Sequence, residues 1–166
     1  DIFIDYLSRE YSSSGNVDIQ KCDIQDDKVI GLGRQFNVDT VICNNVLEHV
    51  ENDNIALINI GKILKGRGNL IIIAPAFKFL YSNWDRSVGH FRRYTYNDMR
   101  YKLQQAGFIV LENFYMNMLG IFGWFLNGRI FRNTPNKNSS VRWQALLFDR
   151  YMVRVLRYIE MRIHRM

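Results

Sequence analysis

Two segments of this chain contain the side chains best suited to acid–base chemistry, one around His49 and the other from Asp85 to His90. An imidazole titrates near neutral pH in its unperturbed state, so a histidine is the natural candidate for a general base. His49 is predicted to be such a base, although it could instead cap or pack against the following helix. Asp85 and His90 could position or deprotonate a substrate hydroxyl. The predicted catalytic residues are therefore His49, Asp85 and His90.

The segment from Pro75 to Thr95 is rich in aromatic and basic side chains. Apolar walls with a few convergent polar groups are typical of a small-molecule site, and an arginine there could hold a phosphate or carboxylate. The predicted substrate-binding residues are Tyr81, Trp84, Arg92, Arg93 and Tyr94. In the alternative interpretation both arginines pair with acidic residues of the domain, Tyr94 packs against a helix, and Thr95 caps that helix ahead of Asp98.

A strand, a helix and a second strand are predicted in the middle of the chain. Residues Asp39 to Cys43 form a short, β-branched-rich apolar run, which is typical of a buried parallel strand. A helix is predicted from Asn54 to Leu64, and the basic, glycine-containing Lys65 to Gly68 should end it. The second strand is predicted from Asn69 to Pro75. The connection should be right-handed, with the ligand edge at the strand carboxyl ends, where Asn44-Asn45 follow the first strand.

Several of these runs together resemble class I S-adenosylmethionine-dependent methyltransferases. The run DTVICNNVLEHV from Asp39 to Val50, the helix ending at Leu64 to Gly68 and the apolar strand ending in Ala-Pro resemble the fourth and fifth strands of that family. The later runs Gly89 to Thr95 and Leu103 to Phe108 are similar to the next helix and sixth strand in bacterial members. The resemblance covers roughly Asp18 to Tyr115, and the order and spacing of its motifs make it specific.

The resemblance implies an α/β, Rossmann-like methyltransferase sheet of parallel strands with flanking helices, and S-adenosylmethionine as cofactor. In the family an acid after the third strand accepts a hydrogen bond from the adenine amino group, and Asp23 resembles that position. Asp23 could instead be a solvated aspartate that opens a turn. Glu48 is interpreted as structural or cofactor-side. The predicted cofactor-binding residues are Asp23, Ile24, Asn44, Asn45 and Val46.

The function implied is methyl transfer to an oxygen, or less readily a nitrogen or carbon, of a small or lipid- or glycan-linked acceptor. The reactive methyl belongs to the cofactor, so the protein has mainly to align the reactants and remove a proton from the acceptor. The alternative is a non-catalytic, methyltransferase-like module that binds a membrane surface or a partner subunit. A homo-oligomer is a further expectation. Nucleic-acid binding is disfavoured because no recognition motif accompanies the basic residues.

The family sheet is expected to be incomplete at both ends of this sequence. Its first strand, glycine-rich loop and second strand have no counterpart here, and neither has its last strand. Upstream residues or another chain could supply the missing first strand, or the strands could be numbered differently. Residues 1–117 are accordingly predicted to be a partial methyltransferase domain. Residues 118–166 are predicted to be a helical, basic amphipathic segment.

That carboxyl-terminal segment contributes to a formal net charge of +6, which favours an anionic partner. Its apolar, glycine-broken run from Met118 to Leu126 is too short to span a bilayer. The helix predicted from Val141 onward is amphipathic and flanked by arginines. It could dock on anionic lipid, or it could cover a core or meet another subunit. A cytoplasmic location is predicted, with peripheral contact at the inner face of the membrane as an option.

Further elements are predicted on either side of the central unit: a helix over Asp1 to Ser12, a strand over Val17 to Asp23, a turn at Gly31 to Gly33, a helix over Thr95 to Gly107, and a strand over Phe108 to Tyr115. The last helix should place Met99, Leu103 and Ala106 inward.

The cysteines and histidines are predicted to bind no metal. Cys22 and Cys43 fall in predicted strands rather than in a spaced framework, so both are expected to be buried free thiols in a reducing compartment. The histidines His49, His90 and His164 are scattered along the chain without the ligand spacing of a zinc site.

Overall fold

A computed structural model describes residues 2–11 and 13–116 of the chain. The predicted carboxyl-terminal segment, residues 118–166, lies outside these residues. The described part is an α/β structure with a two-stranded parallel sheet and several helices. Its elements are α1 (Ile2–Glu10), α2 (Lys28–Phe36), β1 (Thr40–Asn44), a 3-10 turn (Leu47–His49), α3 (Asp53–Ile63), β2 (Asn69–Ile73), a second 3-10 turn (Lys78–Leu80), α4 (Asn83–Ser87) and α5 (Tyr96–Gln105).

The central strand–helix–strand prediction is confirmed. β1 and β2 pair in parallel, in a register that runs from Thr40 opposite Asn69 to Asn44 opposite Ile73. Beyond the last pair, the Asn45 N–H donates to the carbonyl oxygen of Ile73 at 2.8 Å. Asn45 has a φ of 50°, in the left-handed region that asparagine tolerates better than most residues. The chain therefore turns away from the sheet immediately after β1.

Helix α3 connects the two strands and supplies much of the core. It begins where the Asn52 side chain accepts a hydrogen bond from the Ile55 N–H, which satisfies one of the otherwise unpaired amides of the first turn. Ala56, Leu57 and Ile60 are at most 2% exposed. These side chains recur at steps of one, three and four residues, so they lie on one side of the helix and bury it against the sheet and α5.

The two faces of the sheet have different surroundings. Val41, Cys43, Leu70 and Ile72 are buried or half-buried on the side of α3. On the opposite face Ile42 is 70% exposed. Ile71 and Ile73 on the same face are exposed to a lesser degree. Parallel sheets are normally covered on both faces. Within the described residues, this sheet is covered on one face.

Helix α2 packs closely on α3 through a glycine. A Cβ atom on Gly33 would lie 2.3 Å from Cγ2 of Ile63, so only glycine allows this approach. The prediction of a turn over Gly31 to Gly33 is wrong, because both glycines lie within α2. Glycine lowers helix propensity by about 1 kcal/mol, and at position 33 the helix–helix contact requires it.

The predicted helix over Thr95 to Gly107 is confirmed by α5, and so are its inward residues. Thr95 and Asp98 form a capping box in which each backbone N–H donates to the other's side chain. Gly107, with a φ of 87°, follows the last turn, as expected for a helix stop. Met99 is buried, and Leu103 and Ala106 pack against the same core.

Two predicted strands are absent from the described residues. Val17 to Asp23 has no regular secondary structure, and neither has Phe108 to Tyr115. Alternating polarity stabilises a strand only where a neighbour satisfies its backbone groups. Side chains tether the second segment instead, since the Tyr115 hydroxyl accepts from the Tyr96 N–H at 2.8 Å and the Asn113 amide donates to the Tyr96 carbonyl at 3.1 Å.

The predictions for the amino-terminal helix and for the two cysteines are confirmed in part. The amino-terminal helix prediction is confirmed by α1. Cys43 is a buried free thiol as expected, but Cys22 is exposed, and its segment pairs with no strand in the part of the chain that the structure describes. Among the described helices, none has the length and apolar character needed to cross a membrane.

Candidate functional site

The candidate site forms where the chain leaves β1. The 3-10 turn Leu47–His49 follows that strand directly, and the loop before α5 lies against it. The Phe91 N–H donates to the Glu48 carbonyl oxygen at 2.7 Å, which joins the two segments through their backbones. Gly89 lies beside His49 and has a φ of 84°, a left-handed conformation that glycine adopts without strain. The loop is thereby placed at the carboxyl end of the sheet, where ligands of α/β proteins bind.

This approach brings two predicted catalytic histidines together. The ring centroids of His49 and His90 are 4.6 Å apart, and the rings meet edge to face at 81°. His49 is exposed, whereas the His90 side chain is only 13% exposed. One imidazole is therefore open to solvent and the other is held inside the loop.

Asp85 contacts the ring of His90 from the interior of the protein. Asp85 is fully buried, and its Oδ1 lies 3.0 Å from Nδ1 of His90 and 2.7 Å from Nε of Arg93. Its Oδ2 accepts from the Ser82 N–H at 2.9 Å. Burial alone would raise the pKa of Asp85, but the hydrogen bonds from Arg93 and His90 outweigh it and lower the pKa below its usual value.

The charge of Asp85 determines the tautomer of His90. An ionised carboxylate only accepts hydrogen bonds, so the proton of the neutral His90 ring resides on Nδ1. The other ring nitrogen, Nε2, then carries a lone pair. It can accept a proton or bind a metal ion.

Glu48 is the most unusual side chain of the site. It has no exposed surface, and neither of its carboxylate oxygens has a hydrogen-bond partner within the described residues. One potential ligand atom each from Glu48, His49 and His90 lies within 4.8 Å of the other two. The expectation that the histidines are scattered is therefore wrong for His49 and His90, because folding closes the sequence separation between them. His164 lies outside the described residues.

A second buried acid, Asp53, organises the neighbouring side chains. Its Oδ1 lies 2.9 Å from Nη1 of Arg92 and 2.8 Å from Nζ of Lys102, and its Oδ2 lies 2.9 Å from the Tyr94 hydroxyl. Burial opposes ionisation of Asp53, but the hydrogen bonds from Lys102, Arg92 and Tyr94 prevail and lower its pKa. Burial, followed by the charge of Asp53, raises the pKa of Tyr94.

The predicted substrate-binding residues have structural partners in this arrangement. Arg92 and Arg93 pair with Asp53 and Asp85, which confirms the alternative interpretation that both arginines meet acids of the domain. The Tyr81 hydroxyl donates to the His90 carbonyl oxygen at 2.7 Å. Tyr94 is buried. A role of these residues in substrate binding stays a prediction.

An open groove passes the site. Its volume is about 1960 Å³, and its lining includes Glu48, Trp84, His90 and the segment over residues 107–116. Pockets that enclose a small ligand measure about 300–1,000 Å³. The groove is therefore wider than a closed small-molecule pocket, although Trp84 and His90 do line the same surface.

The predicted cofactor-binding residues occupy two places. Asn44, Asn45 and Val46 are exposed at the carboxyl end of β1. Asp23 is exposed and its Oδ1 accepts from the Gln25 N–H at 2.9 Å, so it opens a turn as the alternative interpretation had it. Ile24 is half-buried against the core. Cofactor binding by these five residues stays a prediction.

Sequence reasoning missed Ser82 and Asn59. Ser82 begins a Ser-x-x-Asp pattern that ends at Asp85, and this capping-box spacing could have predicted the bond between the two residues. Asn59 is buried in α3, where its amide donates to the Ile24 carbonyl oxygen at 2.9 Å. No sequence signal distinguishes it from an exposed helical asparagine.

The fold and site define an α/β protein with a histidine- and acid-containing site at the carboxyl edge of a parallel sheet. Models of known protein families, curated proteins and solved structures give no significant match to this chain.

Proposed function

We propose that the protein is an S-adenosylmethionine-dependent methyltransferase that acts on an oxygen of a small or lipid- or glycan-linked acceptor. The observation that carries the proposal is the meeting of His49, Asp85 and His90 at the carboxyl end of β1. These three residues come from two separate segments at the end of a parallel β–α–β unit, and His90 among them lines the groove. Ligands of open α/β sheets bind at such edges.

His90 would serve as the proton acceptor in this reaction. Asp85 fixes the proton of the neutral ring on Nδ1, so Nε2 has the lone pair that an acceptor hydroxyl requires. After proton transfer the imidazolium would be stabilised by the Asp85 carboxylate. His49, which is exposed and in edge-to-face contact with His90, would orient the acceptor at the solvent side.

S-adenosylmethionine, when bound, would supply an electrophilic methyl group. The residues available to it have suitable chemistry, since Asp23 presents an exposed carboxylate to an adenine amino group and Asn44 to Val46 present an exposed strand end. The left-handed backbone at Asn45 turns the chain away and opens the space beyond the strand. The protein would have to align the acceptor with this methyl group and receive the proton.

The acceptor would lie in the groove beside Trp84. Trp84 is half-buried, and the groove around it combines aromatic and polar side chains. Such a wide groove suits a long or lipid-linked acceptor better than a compact metabolite. Reaction with a cytoplasmic acceptor, or with one at the inner membrane surface, would be consistent with this shape.

The proposal is tested by calorimetric titration of S-adenosylhomocysteine into the full-length protein. Asp23→Ala should weaken binding at least tenfold, because it removes the carboxylate assigned to adenine. Asp18→Ala, which changes another exposed acid nearby, should leave the affinity unchanged. His90→Ala should spare the affinity and lower turnover once an acceptor is known. Absence of binding by the unsubstituted protein would contradict the proposal and favour a non-catalytic binding module.

A further inference from the structure

We infer that Glu48, His49 and His90 bind one divalent transition-metal ion, with Zn²⁺ as the preferred occupant. Two imidazoles and a carboxylate are ligands that zinc accepts, with a further position left for water or substrate. The inference rests on the arrangement of these side chains and does not depend on methyl transfer. It can therefore hold or fail separately from the proposed function.

The distances are compatible with an ion after a small adjustment. Zinc bonds of about 2.0–2.2 Å place tetrahedral ligand atoms about 3.4 Å apart. The three potential ligand atoms already lie within 4.8 Å of one another. His49 is exposed, so its ring can rotate toward the other two without disturbing the core.

The buried state of Glu48 supplies an independent reason for an ion. A carboxylate removed from water without a hydrogen bond is strongly destabilised, and buried charges in proteins are normally paired or coordinate a metal. Glu48 has no exposed surface, and both of its oxygens are without a partner among the described residues. A cation between Glu48 and the two histidines would offset this cost.

The surroundings of His90 are those of a metal-binding histidine. A ligating histidine usually donates its second ring nitrogen to a carboxylate, which fixes the ring and its tautomer. Asp85 accepts such a hydrogen bond from Nδ1 of His90 at 3.0 Å, and Arg93 and Ser82 hold Asp85 in turn. Nε2 of His90 therefore keeps a lone pair with which it can bind a metal ion.

The charges and ligand types favour a transition metal over calcium or magnesium. Asp85 and Arg93 offset each other's charge, which leaves the Glu48 carboxylate as the negative charge next to the ion. Calcium and magnesium prefer sites made entirely of oxygen atoms, whereas imidazole nitrogen suits zinc and its neighbours in the first transition series.

The ion and a proton would compete for the same nitrogen. When Nε2 of His90 is bound to a metal, it has no lone pair with which to accept a proton from a hydroxyl. Saturating Zn²⁺ is therefore expected to inhibit any reaction that uses His90 as general base. Inhibition of methyl transfer by Zn²⁺ would show that the proton acceptor and the metal ligand are the same nitrogen. The metal site itself is tested by Zn²⁺ binding alone.

The test is titration of Zn²⁺ into chelator-treated protein in competition with a chromophoric chelator. The unsubstituted protein should bind one tight equivalent of Zn²⁺. Glu48→Gln, His49→Ala and His90→Ala should each weaken this binding at least tenfold, and Asp85→Asn by about 10–100-fold through the orientation of His90. Glu51→Gln, as a matched control, should leave the affinity unchanged. Equal affinity in the unsubstituted protein and Glu48→Gln would overturn the inference.

A second measurement needs no variant and remains decisive if a variant fails to fold. X-ray absorption of the zinc-loaded, unsubstituted protein should show two imidazole ligands and oxygen ligands. Added Zn²⁺ should also raise the thermal unfolding midpoint, because an ion that binds only the folded state stabilises it. No tight equivalent, or a zinc spectrum with fewer than two imidazoles, would remove the site.

Discussion

Nδ1 of His90 lies 3.0 Å from Oδ1 of Asp85, a carboxylate with no exposed surface. This contact leaves Nε2 of His90 as the ring nitrogen with a lone pair. Both proposals depend on that nitrogen, one as a proton acceptor and the other as a metal ligand. The same oxygen of Asp85 also receives Nε of Arg93 at 2.7 Å, so the orientation of His90 is coupled to a buried ion pair.

Asp85→Ala should destabilise the protein strongly. Arg93 is 5% exposed, and the substitution removes the carboxylate that lies 2.7 Å from its Nε. Breaking a buried ion pair in this way costs about 3–5 kcal/mol. Urea unfolding would measure the change, with Asp18→Ala as an exposed control expected to change the free energy of unfolding by less than about 0.5 kcal/mol. A loss below 1 kcal/mol for Asp85→Ala would show that the pair is not maintained in solution.

Two glycines of α2 should respond in opposite ways to the same substitution. Gly33→Ala places a methyl group 2.3 Å from Cγ2 of Ile63, so α2 and α3 must separate and stability should fall. Overpacking of this kind costs about 1–3 kcal/mol. A Cβ on Gly31 would have no neighbour within 4 Å among the described residues, so Gly31→Ala should be neutral or stabilising by up to about 1 kcal/mol, since alanine favours the helix. Thermal unfolding of both variants would test the packing, and equal midpoints would contradict it.

Asp53 should make the folded state sensitive to acid. Its pKa in the folded protein lies below the ordinary value of 3.8. Its contribution to stability is therefore fully present above that ordinary value and is lost as the pH falls through the folded pKa. The free energy of unfolding should decline below about pH 4 less steeply in Asp53→Asn than in the unsubstituted protein. Parallel curves for the two proteins between pH 5 and pH 2 would contradict the assignment.

The central strands, α3 and α5 were predictable because local signals determine them. β1 and β2 are apolar, β-branched runs between polar residues, and the structure places their limits within two residues of the prediction. Thr95 and Asp98 indicate the start of α5, because a capping box requires only two residues that are three apart in the sequence. Signals of this range can be found without knowledge of the tertiary structure.

The site could be predicted only in part. His49, Asp85 and His90 were found by residue type, but the meeting of the two histidines depends on the backbone bond from Phe91 to Glu48, which joins distant segments. The burial of Glu48 follows from the same packing and has no local signature. The failed strand at Val17 to Asp23 has a similar cause, because a strand requires a neighbour that its own sequence does not encode.

The most direct test of the account is a titration of the isotopically labelled, full-length protein with S-adenosylhomocysteine, followed by backbone-amide NMR. The account predicts saturable shifts concentrated at Ile24 and at Asn44 to Val46, with smaller shifts at His90. Gly31 and Arg100, away from the strand end, should not move. Saturable binding with shifts confined to other parts of the protein, or no binding at all, would contradict a methyltransferase site at the carboxyl end of β1.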